Sequence, residues 1–143
     1  MSTLQSENSL IINRANNRSA NMIVGNTNEE EENTEIFIPD KNFNYIPKDL
    51  SLNESFDYLH LTSNNTIFGT QFHSFPDSEY PLFADMSSDI FSRKINFSKF
   101  DLIYAGAQKN IGPAGVTMVL IKKSLFKNIT REVPSMLSYK IHV

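Results

Sequence analysis

Four short apolar runs constrain this chain more than any other feature: DYLHLT (57–62), PLFAD (81–85), DLIYAGA (101–107) and GVTMVLIKK (115–123). Each is short for a helix and rich in aliphatic or aromatic residues, the pattern of a strand. Apolar strands separated by polar turns are expected to be buried on both faces, as in the mainly parallel sheet of an α/β fold. The helices between them are fewer than such a fold normally uses.

The rest of the chain is less regular. Leu4, Leu10, Ile11, Ile12, Ala15 and Ala20 predict a helix within 3–24, although the Asn residues lower its propensity. The segment NTNEEEENTE (26–35) predicts an acidic surface loop, because four consecutive Glu repel one another and gain most from solvent. Ile36-Phe37-Ile38 is a strand ended by Pro39, and 39–56 reads as loop. TIFGTQF (66–72) adds a short strand or a turn that re-enters the sheet. Residues 86–100 form a polar connection with a helical turn near Ser98, and 125–129 form another such turn.

With 143 residues, the chain holds one core rather than two. It has no Cys, which excludes disulfides, thiolate chemistry and cysteine-ligated metals. The three His lack metal-site spacing, so no metal is expected, and His60 reads as a satisfied core or interface residue. Net charge is -3, which does not suit nucleic-acid binding. That total hides an asymmetry. Residues 1–90 hold 14 acids and 4 bases, whereas 91–143 hold 2 acids and 9 bases. A basic second part suits an anionic ligand or a negative neighbour. No apolar stretch reaches a membrane span, and no signal peptide opens the chain, so a cytoplasmic protein is expected.

In a parallel α/β sheet, functional groups gather at the C-terminal ends of the strands. Three such ends carry polar groups here: Thr62 to Thr66, Asp85 to Ser88, and Gln108-Lys109-Asn110. Lys109 follows Ala105, Gly106 and Ala107 and precedes Gly112-Pro113-Ala114-Gly115. Small residues let a ligand approach the backbone, and a lysine fixed there can form a Schiff base with an aldehyde. The plain alternative is a surface lysine after a strand. Asp85 has three uses open to it: to hold a protonated ring nitrogen, to bind a metal, or to cap the turn into Ser87 and Ser88. Together, Lys109 and Asp85 suit a pyridine cofactor. Thr66 and Gln108 offer neutral hydrogen bonds. The GPAG turn is neither a Walker motif nor a dinucleotide fingerprint.

The segment IYAGAQKNIGPAGVTMVLIKK (103–123) resembles the cofactor-lysine segment of the phosphoserine aminotransferases, a family of fold-type I, class-V pyridoxal-phosphate enzymes. YLHLTSNNTIFGTQF (58–72), FADMSSDIFSRKINFSKFDLIYAGAQKN (83–110) and VPSMLSYKIHV (133–143) follow that family in the same order. The resemblance covers roughly 57–143, with 1–56 matching loosely.

It implies the central portion of the family's large domain, a mainly parallel sheet with one antiparallel strand. It also implies pyridoxal 5'-phosphate as cofactor. Lys109 would form the Schiff base and later move a proton at the substrate α-carbon. Asp85 would pair with the pyridine nitrogen, Thr66 with the phenolic oxygen, and Gln108 with the phosphate. Ser87 would support the Asp85 turn. The implied substrates are glutamate and a phosphorylated 2-oxo acid, 3-phosphohydroxypyruvate, in a homodimer. In bacteria a related phosphorylated hydroxy-oxo acid from vitamin B6 synthesis is often a second substrate.

Upstream and downstream parts of the family fold have no counterpart here, including the C-terminal small domain. The isolated chain is therefore expected to show little or no turnover. Two other readings stay open: a non-catalytic fragment or degenerate homologue, and another class-V pyridoxal-phosphate enzyme.

Overall fold

The computed structural model describes residues 22–25, 35–37, 45–46, 56–130 and 132–143. Among the described residues, six strands form one sheet: β1 (Met22–Gly25), β2 (Glu35–Phe37), β3 (Tyr58–Thr62), β6 (Leu82–Asp85), β7 (Leu102–Gly106) and β8 (Thr117–Ile121). Their order across the sheet is β2-β1-β3-β6-β7-β8. Two shorter strands, β4 (Asn64–Asn65) and β5 (Thr70–Gln71), make a separate antiparallel hairpin.

The sheet is mixed and mostly parallel. β3, β6 and β7 pair in parallel, while β1 runs against both β2 and β3, and β8 runs against β7. Four of the six strands, β2, β3, β6 and β7, therefore point the same way. The connection sets the direction of β8. The turn from β7 to β8 has no helix to carry the chain back across the sheet, so the chain reverses beside the strand it has left.

The four apolar runs all become strands, and the expected turns near Ser98 and 125–129 are 3-10 turns at Phe97–Lys99 and Lys123–Asn128. The run at 36–38 becomes β2, shifted by one residue. The expected helix over 3–24 is corrected at its end, because Met22–Gly25 form a strand. Pairing with β3 on one side and β2 on the other satisfies this backbone without a helical ladder. The remainder of that helix, the acidic loop over 26–34 and nearly all of the loop at 39–56 lie outside the described residues.

Side chains alternate between the two faces of each strand. One face presents Leu59, Leu61, Leu82, Ala84, Ile103 and Ala105, all buried. They pack with Phe56, Phe72, Met86, Ile90 and Phe100 into the core. Phe100 meets Phe75 edge to face, ring centres 4.8 Å apart. Burying each large aliphatic side chain contributes about 1.5–3 kcal/mol, so this face supplies much of the driving force for folding. The other face carries Tyr58, His60 and Thr62 on β3, Phe83 and Asp85 on β6, and Tyr104 and Gly106 on β7. This polar-aromatic face leads to the candidate site.

Asp101 fastens the opposite end of the sheet. Its carboxylate accepts from the Leu82 backbone N–H at 2.9 Å and pairs with the Lys122 ammonium at 3.0 Å.

Candidate functional site

Three strand ends meet. The parallel register sets Thr62 beside Asp85, and Asp85 beside Tyr104. From there, loops lead to Thr66 after β3, to Ser87 after β6, and to Gln108 and Lys109 after β7. The Lys109 ammonium donates to the Thr66 hydroxyl at 3.1 Å, joining groups 43 residues apart. Both side chains are exposed, so a ligand can reach them.

The loop after β3 is shaped by its hairpin. Gly69 takes φ +70° at the tip, a conformation that glycine adopts without steric cost. Asn65 Oδ1 accepts from the backbone N–H groups of Ile67 and Phe68. This short-range bonding holds Thr66 in the turn beside its partner lysine.

Asp85 caps its own turn, one of the uses open to it in the sequence. Its Oδ1 accepts from the Ser87 N–H at 2.9 Å. The Ser87 hydroxyl in turn accepts from the Gly106 N–H at 3.0 Å. Asp85 is thus tied to the end of β7 through Ser87.

The lysine turn needs its glycines for two different reasons. Gly115 takes φ +89°, which a residue with a Cβ rarely adopts. Gly106 instead leaves space. A Cβ there would lie 2.7 Å from the Gln108 amide oxygen, because the Gln108 side chain folds back over the strand end. The amide therefore sits where a side chain on Gly106 would otherwise be.

Sequence reasoning missed two features. The first is Tyr104, whose hydroxyl is 3.1 Å from His60 Nε2. Burial and the neighbouring Asp85 push its phenol well above the ordinary value. Burial also pulls His60 down to about 4, against a smaller upward pull from Asp85. The signal was strand parity, since Tyr104 lies two residues before Gly106 and shares its face. The second feature is a network around buried Asp89. Its carboxylate accepts from the Ser63 hydroxyl, from Gln71 Nε2 at 3.0 Å and from Arg93 at 2.7 Å. Arg93 also donates to the Phe72 carbonyl at 2.6 Å. Asn64 and Ser88 exchange two further bonds of 2.9 Å. These contacts fix the Thr66 loop to the segment after Asp85. Their residues are scattered and form no motif.

The class-V aminotransferase family model matches residues 1–137. The chain belongs to the class-V aminotransferase family. Within it, this chain is 61% identical over 102 residues to a phosphoserine aminotransferase of Azobacteroides pseudotrichonymphae, covering 71% of this chain and 28% of the relative. It is 60% identical over 103 residues to that of Bacillus subtilis, covering 71% and 29%. The chain thus spans less than a third of the length of the curated relatives it matches.

Solved structures agree with the fold. The pyridoxal-phosphate-bound phosphoserine aminotransferase of Trichomonas vaginalis superposes with a TM-score of 0.65 at 36% identity, over 73% of this chain and 32% of that one. A phosphoserine aminotransferase studied for radiation damage to its Schiff base gives 0.64 at 54% identity, over 70% and 29%. The α/β class and mostly parallel sheet are those of the fold-type I large domain. Among the described residues, no helix is long and apolar enough to cross a membrane.

Proposed function

We propose that this chain forms the central part of the cofactor-binding large domain of a phosphoserine aminotransferase, with residues 57–143 as the cofactor-site core and 1–56 leading into it. The cofactor is pyridoxal 5'-phosphate. The observation that carries the reading is the meeting of Lys109 with Thr66 beside the strand end that bears Asp85. Similarity to phosphoserine aminotransferases, one solved with pyridoxal phosphate bound and one studied for radiation damage to its Schiff base, supports it.

The donor set fits the cofactor. Lys109 supplies an amine for its aldehyde, Thr66 a hydroxyl for the phenolic oxygen, and Asp85 a carboxylate for the ring nitrogen. The Gln108 amide, in the space left by Gly106, supplies a donor for the phosphate. When bound, the cofactor provides an electron sink for the substrate's α-carbon. Lys109 holds it covalently and, once free, moves the proton at that carbon. Asp85 stabilises positive charge at the ring nitrogen, and Ser87 keeps its carboxylate in place.

The overall reaction moves the amino group of glutamate to 3-phosphohydroxypyruvate, giving 2-oxoglutarate and 3-phosphoserine in serine biosynthesis. The enzyme works as a cytoplasmic homodimer, without nucleic acid or membrane partners.

A segment exchange tests the activity. The matched segment of the Bacillus subtilis enzyme is replaced by the corresponding segment of this chain, and phosphoserine formation is measured. The chimera is expected to turn over, and the same chimera with Lys109→Ala to be inactive. A folded, cofactor-loaded chimera without turnover would contradict the reading.

A further inference from the structure

His60 is a buried polar residue on the sheet face that carries Asp85. It is 4% exposed, and its Nδ1 has no hydrogen-bond partner among the described residues. Its Nε2 is 3.1 Å from the Tyr104 hydroxyl, and the two rings lie 24° from parallel with centres 5.9 Å apart. Tyr104 is the register partner of Asp85 on the neighbouring strand, and both point to that face.

We propose that Tyr104 and His60 are positioning residues for Asp85, forming a chain of neutral donors from the His60 Nε2–H to the Tyr104 hydroxyl and from that hydroxyl to the Asp85 carboxylate. This rests on the reading that Asp85 serves the cofactor's ring nitrogen.

The direction follows from counting protons. A phenol has one proton to donate, and an ionised carboxylate can only accept. If Tyr104 donates towards Asp85, the short contact to His60 must be donated by Nε2–H. A neutral imidazole protonated at Nε2 then has only a lone pair at Nδ1, the atom without a partner. The reverse arrangement would leave an N–H at Nδ1 buried without an acceptor, the costlier kind of orphan. Among the described residues, the titratable groups facing this pair are Asp85 from β6 and, towards Tyr104, Tyr139 from the last 3-10 turn.

The device suits the task. A lysine or arginine beside Asp85 would orient it but also neutralise it. A phenol backed by a neutral imidazole orients the carboxylate and leaves its negative charge for a protonated ring nitrogen.

Two measurements on the full chain test this. The first is nitrogen NMR of 15N-histidine-labelled protein without cofactor. His60 is expected as the Nε2–H tautomer, held in place by Tyr104 and released in Tyr104→Phe. An Nδ1–H tautomer, or one unchanged in Tyr104→Phe, would overturn the chain of donors. The second is the affinity for pyridoxal 5'-phosphate. Tyr104→Phe and His60→Leu are each expected to weaken it by about three- to tenfold. His60→Gln, which keeps an N–H near the Nε2 position, is expected to restore most of the loss. Full affinity in Tyr104→Phe alongside a loss in Asp85→Asn would overturn the positioning role alone. Full affinity in Asp85→Asn would overturn the reading of Asp85 on which the proposal rests.

Discussion

The Lys109 ammonium and the Thr66 hydroxyl are 3.1 Å apart at the ends of two loops that leave non-adjacent strands. β6 lies between those strands and brings Asp85 between the loops. This contact gives the first prediction. Thr66→Val keeps the shape and removes the hydroxyl. It is expected to weaken pyridoxal-phosphate binding by about three- to tenfold, the worth of one hydrogen bond. Thr66→Ser is expected to bind normally. Fluorescence titration of both variants checks this.

Gly106 and Gln108 give a second prediction. An alanine Cβ at 106 would meet the Gln108 amide at 2.7 Å and displace it, at little cost to folding because the amide is the far end of a flexible side chain. Gly106→Ala is therefore expected to weaken binding of pyridoxal phosphate more than that of pyridoxal, which has no phosphate. Parallel titrations with the two compounds read this difference.

Asp89 is central to the loop beneath the site. It is buried and paired with Arg93, Ser63 and Gln71. Removing its carboxylate leaves the Ser63 and Gln71 donors and the partly exposed Arg93 without their acceptor, at a cost of about 1–3 kcal/mol. Asp89→Ala is expected to lower the urea midpoint by a corresponding amount. Lys99→Ala, which breaks the exposed pair with Asp77, is expected to leave the midpoint almost unchanged.

Parts of this arrangement were legible in the sequence for identifiable reasons. β3, β6 and β7 showed themselves because strands buried or half-buried on both faces read as continuous apolar runs; β8 carries the same kind of run although its residues are half-buried or exposed, against the burial expected on both faces. Thr66, Asp85 and Lys109 were legible because strand ends gather polar groups, and the lysine turn is marked by its glycines. β1 was not. Its four residues, MIVG, follow a stretch with helix-like spacing, and pairing with β2 and β3 decides their state. The Asp89 network was hidden because its side chains come together only once the loops are folded. Tyr104 looked like an ordinary strand aromatic, and only the register shows Asp85 beside it.

His60 makes stability depend on pH. Burial lowers its folded value from 6.5 to about 4, so the unfolded chain binds a proton that the folded chain refuses. The contribution is fully present above pH 6.5 and is lost as pH falls through the window down to about 4. Its size is about 3 kcal/mol. His60→Gln is expected to flatten this part of the stability profile, as measured by urea unfolding at a series of pH values.

The central claim is that Lys109 holds the cofactor, and borohydride trapping tests it most directly. The chain is incubated with pyridoxal 5'-phosphate, reduced, digested and mapped by mass spectrometry. The account predicts one dominant stable adduct on Lys109, weakened in Asp85→Asn and absent in Lys109→Ala. Adducts spread evenly over the surface lysines, with none favoured at Lys109, would contradict it.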